Sequence, residues 1–115
     1  MNSTDGPVRR KLTALLDGKF DRLRAAFFAR TRSDRERMAE HLEKLTNAQA
    51  IAPPLLEDVR LLAHRICGGA SIFEAPNILQ AAAAVEQAAL DSLRQPDVMS
   101  IARLRSSIET LLSQL

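Results

Sequence analysis

The chain is 115 residues long and 46% apolar, yet only 3% aromatic, with no Trp and no Tyr. Sixteen basic against fourteen acidic side chains leave a net charge of +2 and a pI near 9.2, a mixed surface without the concentrated basic stripe of a nucleic-acid-binding domain. One cysteine excludes an internal disulfide and a multi-cysteine metal site, and no apolar run has the form of a signal peptide or a membrane span, so the expectation is one soluble, cytoplasmic domain.

Ala and Leu supply most of the apolar content, and β-branched residues are scarce, which predicts an all-α fold. Residues 1–6 are polar and read as disordered, with Ser3 or Asp5 as caps before Pro7 at a first helical position. From Val8 to about Arg30, Leu12, Leu15, Leu16, Phe20, Leu23 and Phe27 recur at three- and four-residue spacing. That is one amphipathic helix, with Asp17-Gly18 as a point where it breaks or bends. Ser33 followed by Glu36 resembles a capping box, so a new helix is expected there, carrying Met38, His41 or Leu42, and Leu45 to about Asn47. Pro53-Pro54 separates it from the next element. A helix over about 54–73 bears His64. Pro76 opens an alanine-rich helix over 77–93 with Ile78, Leu79, Ala82, Val85, Ala89 and Leu93 inward, and small residues there imply close packing on the His64 helix. Gln95-Pro96-Asp97 is the last break, with Asp97 as cap. The final helix, Val98 to about Leu112, presents Ile101, Leu104, Ile108, Leu111 and Leu112. Together these predict an up-and-down four-helix bundle with an additional N-terminal helical segment, a single domain over 1–115.

On a helical wheel of Glu57–Ala75, Glu57, Arg60, Gly68 and Ser71 fall within about 40° of His64. Leu55, Val59, Leu62, Ala63, Ile66, Ala70 and Phe73 gather opposite, so His64 faces water from the middle of an amphipathic helix. Gly68 and Gly69 each cost a helix about 1 kcal/mol relative to alanine. Core packing does not explain that cost on an exposed face; close approach of another molecule does.

The stretch AHRICGGASIFEAPNILQAAAAVEQA resembles the signature of histidine-containing phosphotransfer (HPt) domains, the four-helix-bundle carriers of multistep phosphorelays. Ala63, His64, Ile66, Gly68, Ala70, Phe73, Ala75, Leu79, Val85 and Glu86 match it in type and spacing. Two positions depart from it: the family's Lys three residues after the histidine is Cys67, and its second Gly is Glu74. The resemblance implies that His64 accepts a phosphoryl group from a receiver-domain aspartate and hands it to another. It also implies partners that are receiver domains of response regulators or of a hybrid histidine kinase, with the divalent metal on the receiver and no cofactor on this chain.

The residues themselves fit a carrier. An unperturbed histidine is mostly neutral and nucleophilic near pH 7, and phosphoryl transfer asks of the protein mainly positioning and charge stabilisation. With Lys absent at position 67, Arg60 at i−4 is the first candidate for a phosphoryl-stabilising cation and Arg65 the second; Gly68 gives steric access. Leu61, Gly69 and Ser71 are candidates for partner contact, with Leu56 as a further apolar rim residue. His41 sits among bulky, charged neighbours and reads as structural, and Cys67 reads as a packing residue. No nucleotide-binding loop is present, so this is a phosphoryl carrier rather than a turnover enzyme, with no nucleic-acid or membrane partner expected and a monomeric state. Two other readings stay open: a degenerate HPt-like module that docks receivers without carrying phosphate, and an unrelated helical adaptor.

Overall fold

A computed structural model describes residues 5–115 as four helices: α1 (Asp5–Asn47), α2 (Pro53–Ile72), α3 (Pro76–Arg94) and α4 (Val98–Gln114). Each helix packs on its two neighbours in the ring α1–α2–α3–α4, the up-and-down bundle expected. The core is built from Met38 and Leu45 of α1; Leu56, Val59, Ala63 and Ile66 of α2; Ala82, Val85 and Ala89 of α3; and Leu104, Ile108 and Leu111 of α4. The α2–α3 contact is the most extensive, and Ala81, Ala82 and Ala89 on the buried face of α3 let the backbones approach.

The helix ends follow from local chemistry. Pro53 and Pro54 occupy the first turn of α2 and Pro76 that of α3, where a missing N–H costs nothing. Asp97 caps α4 in a reciprocal box: Ser100 N–H donates to Asp97 Oδ1 at 2.7 Å, and Asp97 N–H donates to Ser100 Oγ at 3.1 Å. At the end of α2, Phe73 N–H donates to the Gly69 carbonyl at 3.0 Å and Ala75 N–H to the Ala70 carbonyl at 2.9 Å. This is a Schellman-type termination whose left-handed residue is Glu74, at φ 55°.

One expectation is overturned. The first two helices read from the sequence are a single unbroken α1 of 43 residues. Neither Asp17-Gly18 nor Ser33 interrupts it. A lone glycine costs only about 1 kcal/mol, no proline lies between Pro7 and Pro53, and Ser33 is exposed within the helix rather than capping a new one. Its neighbours turn inward instead. The buried Thr31 hydroxyl donates to the Phe28 carbonyl at 2.6 Å, and the buried Asp34 carboxylate receives Arg65 of α2. Residues 1–4, including the expected cap Ser3, lie outside the described residues, and Asp5 and Gly6, read as disordered, are already helical.

At 1.5 Å per residue α1 is about 64 Å long, against about 25–30 Å for the other three. It therefore overhangs the bundle, and the molecule measures 70 × 23 × 21 Å. At the root of the overhang all four phenylalanines meet: Phe20 and Phe27 each lie 5.4 Å from Phe73, and Phe27 lies 5.0 Å from Phe28, centroid to centroid.

Candidate functional site

The site is organised by α2, whose buried stripe of Val59, Leu62, Ala63, Ile66 and Ala70 fixes its rotation against α3 and α1. With that stripe inward, the His64 side chain is left 70% exposed at mid-helix. Its Nδ1 lies 2.7 Å from Glu86 Oε2 on α3. A carboxylate only accepts hydrogen bonds, so Nδ1 is the donor in this pair, which in a neutral imidazole leaves the lone pair on Nε2. Glu86 thus fixes both tautomer and direction. In the sequence Glu86 is visible only as a member of the motif. Its orienting role depends on the α2–α3 hairpin, which brings together residues 22 apart in the chain.

The two glycines separate. A Cβ on Gly68 would meet nothing within 4 Å, so the surface one turn after His64 is open. A Cβ on Gly69 would overlap the Phe27 ring of α1. Gly69, expected at a partner interface, has a reason inside the fold: it lets α1 and α2 approach at the aromatic cluster. Ser71 and Leu61 are exposed, Leu61 at 51%. Leu56 is buried in the core and belongs to no docking rim.

Both candidate cations are held by carboxylates. Arg60 pairs with Glu57 one turn earlier on the same helix, which lowers the Glu57 carboxyl below its ordinary range and raises the guanidinium. Arg65 reaches across to the buried Asp34 of α1, tying the two helices together. Neither guanidinium is bonded to the imidazole. The charge of Glu86 extends to Arg60 and also to Cys67, so the three share one electrostatic neighbourhood. The Cys67 thiol is half-buried with its sulfur 4.0 Å from the Leu79 carbonyl, and burial pushes its pKa up, away from thiolate chemistry. His41 lies elsewhere, in a cleft of about 490 Å³ between α1 and α2 with Arg37, Asp58, Leu61, Leu62 and Arg65. Burial lowers its pKa. Among the described residues no cluster of His, Cys, Asp or Glu could hold a metal ion.

Fold and site define a helical-bundle domain built around one exposed, carboxylate-oriented histidine. The chain belongs to the Hpt domain family, whose sequence model matches residues 22–115. This membership ties it to two-component phosphotransfer and to receiver domains as the partner class. Comparison with curated proteins and comparison with solved structures each returned no match.

Proposed function

We propose that this protein is a phosphorelay carrier in which His64 Nε2 accepts a phosphoryl group from a receiver aspartate and passes it to another. The Nε2 lone pair attacks phosphorus, the bond from phosphorus to the aspartyl oxygen breaks, and its electron pair returns to the receiver carboxylate. The ring then carries the phosphoryl group on Nε2 while Nδ1–H stays with Glu86, whose negative charge offsets the positive charge developing on the imidazole. The return step is the same displacement onto a second receiver. The receiver brings the divalent metal; this chain supplies the nucleophile, its orientation and open space beside Gly68. The observation that supports this reading most is the Nδ1–Glu86 bond, which leaves Nε2 outward on an open face.

A second reading rests on a specific observation. Cys67 replaces the family's lysine, and Arg60 and Arg65 are already paired, so a module that docks receivers without carrying phosphate is its rival.

Transfer of labelled phosphate from a panel of phosphorylated receiver domains tests the two. Acid-labile, alkali-stable label on the wild type and none on His64→Gln is the expected result. Glu86→Gln should keep the fold and slow transfer at least about tenfold, less than the ~10²-fold of a fully lost contact because the Gln oxygen still accepts from Nδ1–H. Equal labelling of His64→Gln would move the acceptor elsewhere. Receiver binding with no label would leave the docking module.

A further inference from the structure

Among the described residues, the overhanging part of α1 carries an apolar face that is covered only at its root, where Phe20 meets Phe73. Val8, Leu12, Leu15, Leu16, Phe20 and Leu23 are 45–68% exposed. At about 100° per residue they form one stripe roughly 140° wide. Most of it precedes residue 22, where the Hpt match begins, so this segment lies outside the matched part of the chain. Isolated exposed apolar side chains are ordinary on a protein surface; six on one continuous helical face are not.

Charge is distributed to match. Lys11 and Arg22 border one edge of the stripe, Arg24 the other, and Arg9 and Lys19 lie within it, while Arg10, Asp17 and Asp21 fall on the far side of the helix. Residues 5–24 hold six basic and three acidic side chains, net +3, whereas residues 25–115 hold ten and eleven, net −1. The whole positive excess of the molecule therefore sits on the overhang.

We propose that this arm docks on an anionic lipid surface, lying in the plane of the bilayer interface with its apolar stripe inserted and its cations on the lipid phosphates. An apolar face of Leu and Phe rimmed by Lys and Arg, on a helix of low overall hydrophobicity, is the composition of interfacial helices, which insert to about 5–10 Å. Among the described residues no helix is long and apolar enough to cross a membrane, so the arm rests on the surface.

A second copy of the chain fits the stripe less well. Pairing two arms would bring two +3 segments together and draw Arg9 and Lys19, which share the apolar sector, into a helix–helix seam. On lipid the same side chains bury their stems and reach back to phosphate oxygens. The proposal concerns the arm alone and stands whichever way the phosphate test falls.

The test is co-sedimentation of the full chain with extruded vesicles of phosphatidylcholine, with and without one-third phosphatidylglycerol, alongside sedimentation velocity of the lipid-free protein. The expected result is binding to the anionic vesicles at least about tenfold stronger than to pure phosphatidylcholine and weakening as salt rises. Leu12→Glu with Leu16→Glu, and separately Lys11→Glu with Arg22→Glu, should each lower that binding at least about tenfold. All four positions are exposed, so circular dichroism and thermal melting should show the bundle intact. Equal binding to both vesicle types, or none to the anionic ones, would overturn the proposal. So would a dimer in the absence of lipid that Leu12→Glu dissociates, which would assign the stripe to a second copy.

Discussion

The two faces of α2 use the same kinds of residue to opposite ends. On one face His64, Gly68 and Ser71 stand open, and among the described residues Glu86 alone bonds the imidazole from another helix. On the face toward α1, Gly69 admits the Phe27 ring and Arg65 closes on buried Asp34. Adjacent glycines thus do different work: Gly69 makes helix packing possible, and Gly68 keeps space that the fold itself does not use. A rigid, closed face behind an open one fixes where the imidazole points while leaving its outer nitrogen accessible.

Gly69→Val breaks the comparison hardest. The added methyls would overlap Phe27, and overpacking a close helix contact costs about 1–3 kcal/mol, with the β-branched side chain adding to it. We expect a loss of about 2 kcal/mol or more, read as a fall in melting temperature of roughly 8 °C or more for a domain of this size. Adding Phe27→Leu should recover part of the loss, because the two changes share one contact. Additive losses would show that Phe27 is not what makes position 69 a glycine.

Where the two faces end, Glu74 takes the left-handed position that glycine favours at a helix terminus. Holding a non-glycine residue there costs on the order of 1 kcal/mol. Glu74→Gly should therefore stabilise the protein by about 1 kcal/mol in urea unfolding, without altering the exposed histidine face. No gain would mean that the Glu74 side chain makes a compensating contact.

Gly68→Ala sharpens the contrast because its effects on stability and function should have opposite signs. Alanine in open space removes the helix-propensity penalty, so stability should rise by roughly 0.5–1 kcal/mol. The same methyl stands one turn from His64, where a receiver's phospho-aspartate loop must approach, and the transfer rate should fall. Unchanged transfer kinetics in a stabilised variant would detach Gly68 from the docking surface.

Much of this was legible in the sequence, and the failures have physical causes. The amphipathic spacing of α2, α3 and α4 places most of their buried residues, missing Leu56, Ala81, Ser92 and Ser100, and Asp97 reads as the cap that it is. Exposure of His64 follows from the wheel alone. Continuity of α1 does not, because Asp17-Gly18 and Ser33 weaken a helix by amounts that cooperativity and tertiary packing override. The pairing of Arg60 with Glu57 was readable from i,i+3 spacing on one helix. The pairings of Arg65 with Asp34, Gly69 with Phe27 and His64 with Glu86 join different helices, so each needs the bundle geometry before it can be seen. Leu56 shows the resolution of a wheel: a residue at the border of two faces was placed on the open one, and packing put it in the core.

The two histidines extend the comparison to pH and give the smallest expected effect. His41 is partly buried between α1 and α2, its Nδ1 has no hydrogen-bond partner, and burial holds its pKa below the ordinary value of 6.5. Asp58 and Glu40 pull the pKa up and Lys44 and Arg37 push it down, yet desolvation outweighs them. As pH falls below 6.5 the unfolded chain takes up a proton at this position before the folded protein does. Stability attributable to His41 is therefore present above pH 6.5, declines as pH drops toward the folded pKa, and levels off below it. His41→Gln carries no titrating group, so the difference between wild type and variant in urea midpoint should narrow or change sign between pH 7.5 and pH 5.5. The cleft side of α2 would then lose stability on acidification through a residue that has no part in the exposed histidine's chemistry. A difference that stays constant over this range would mean that His41 takes up its proton equally in the folded and unfolded states, and that the cleft around it is wetter than its buried Nδ1 implies.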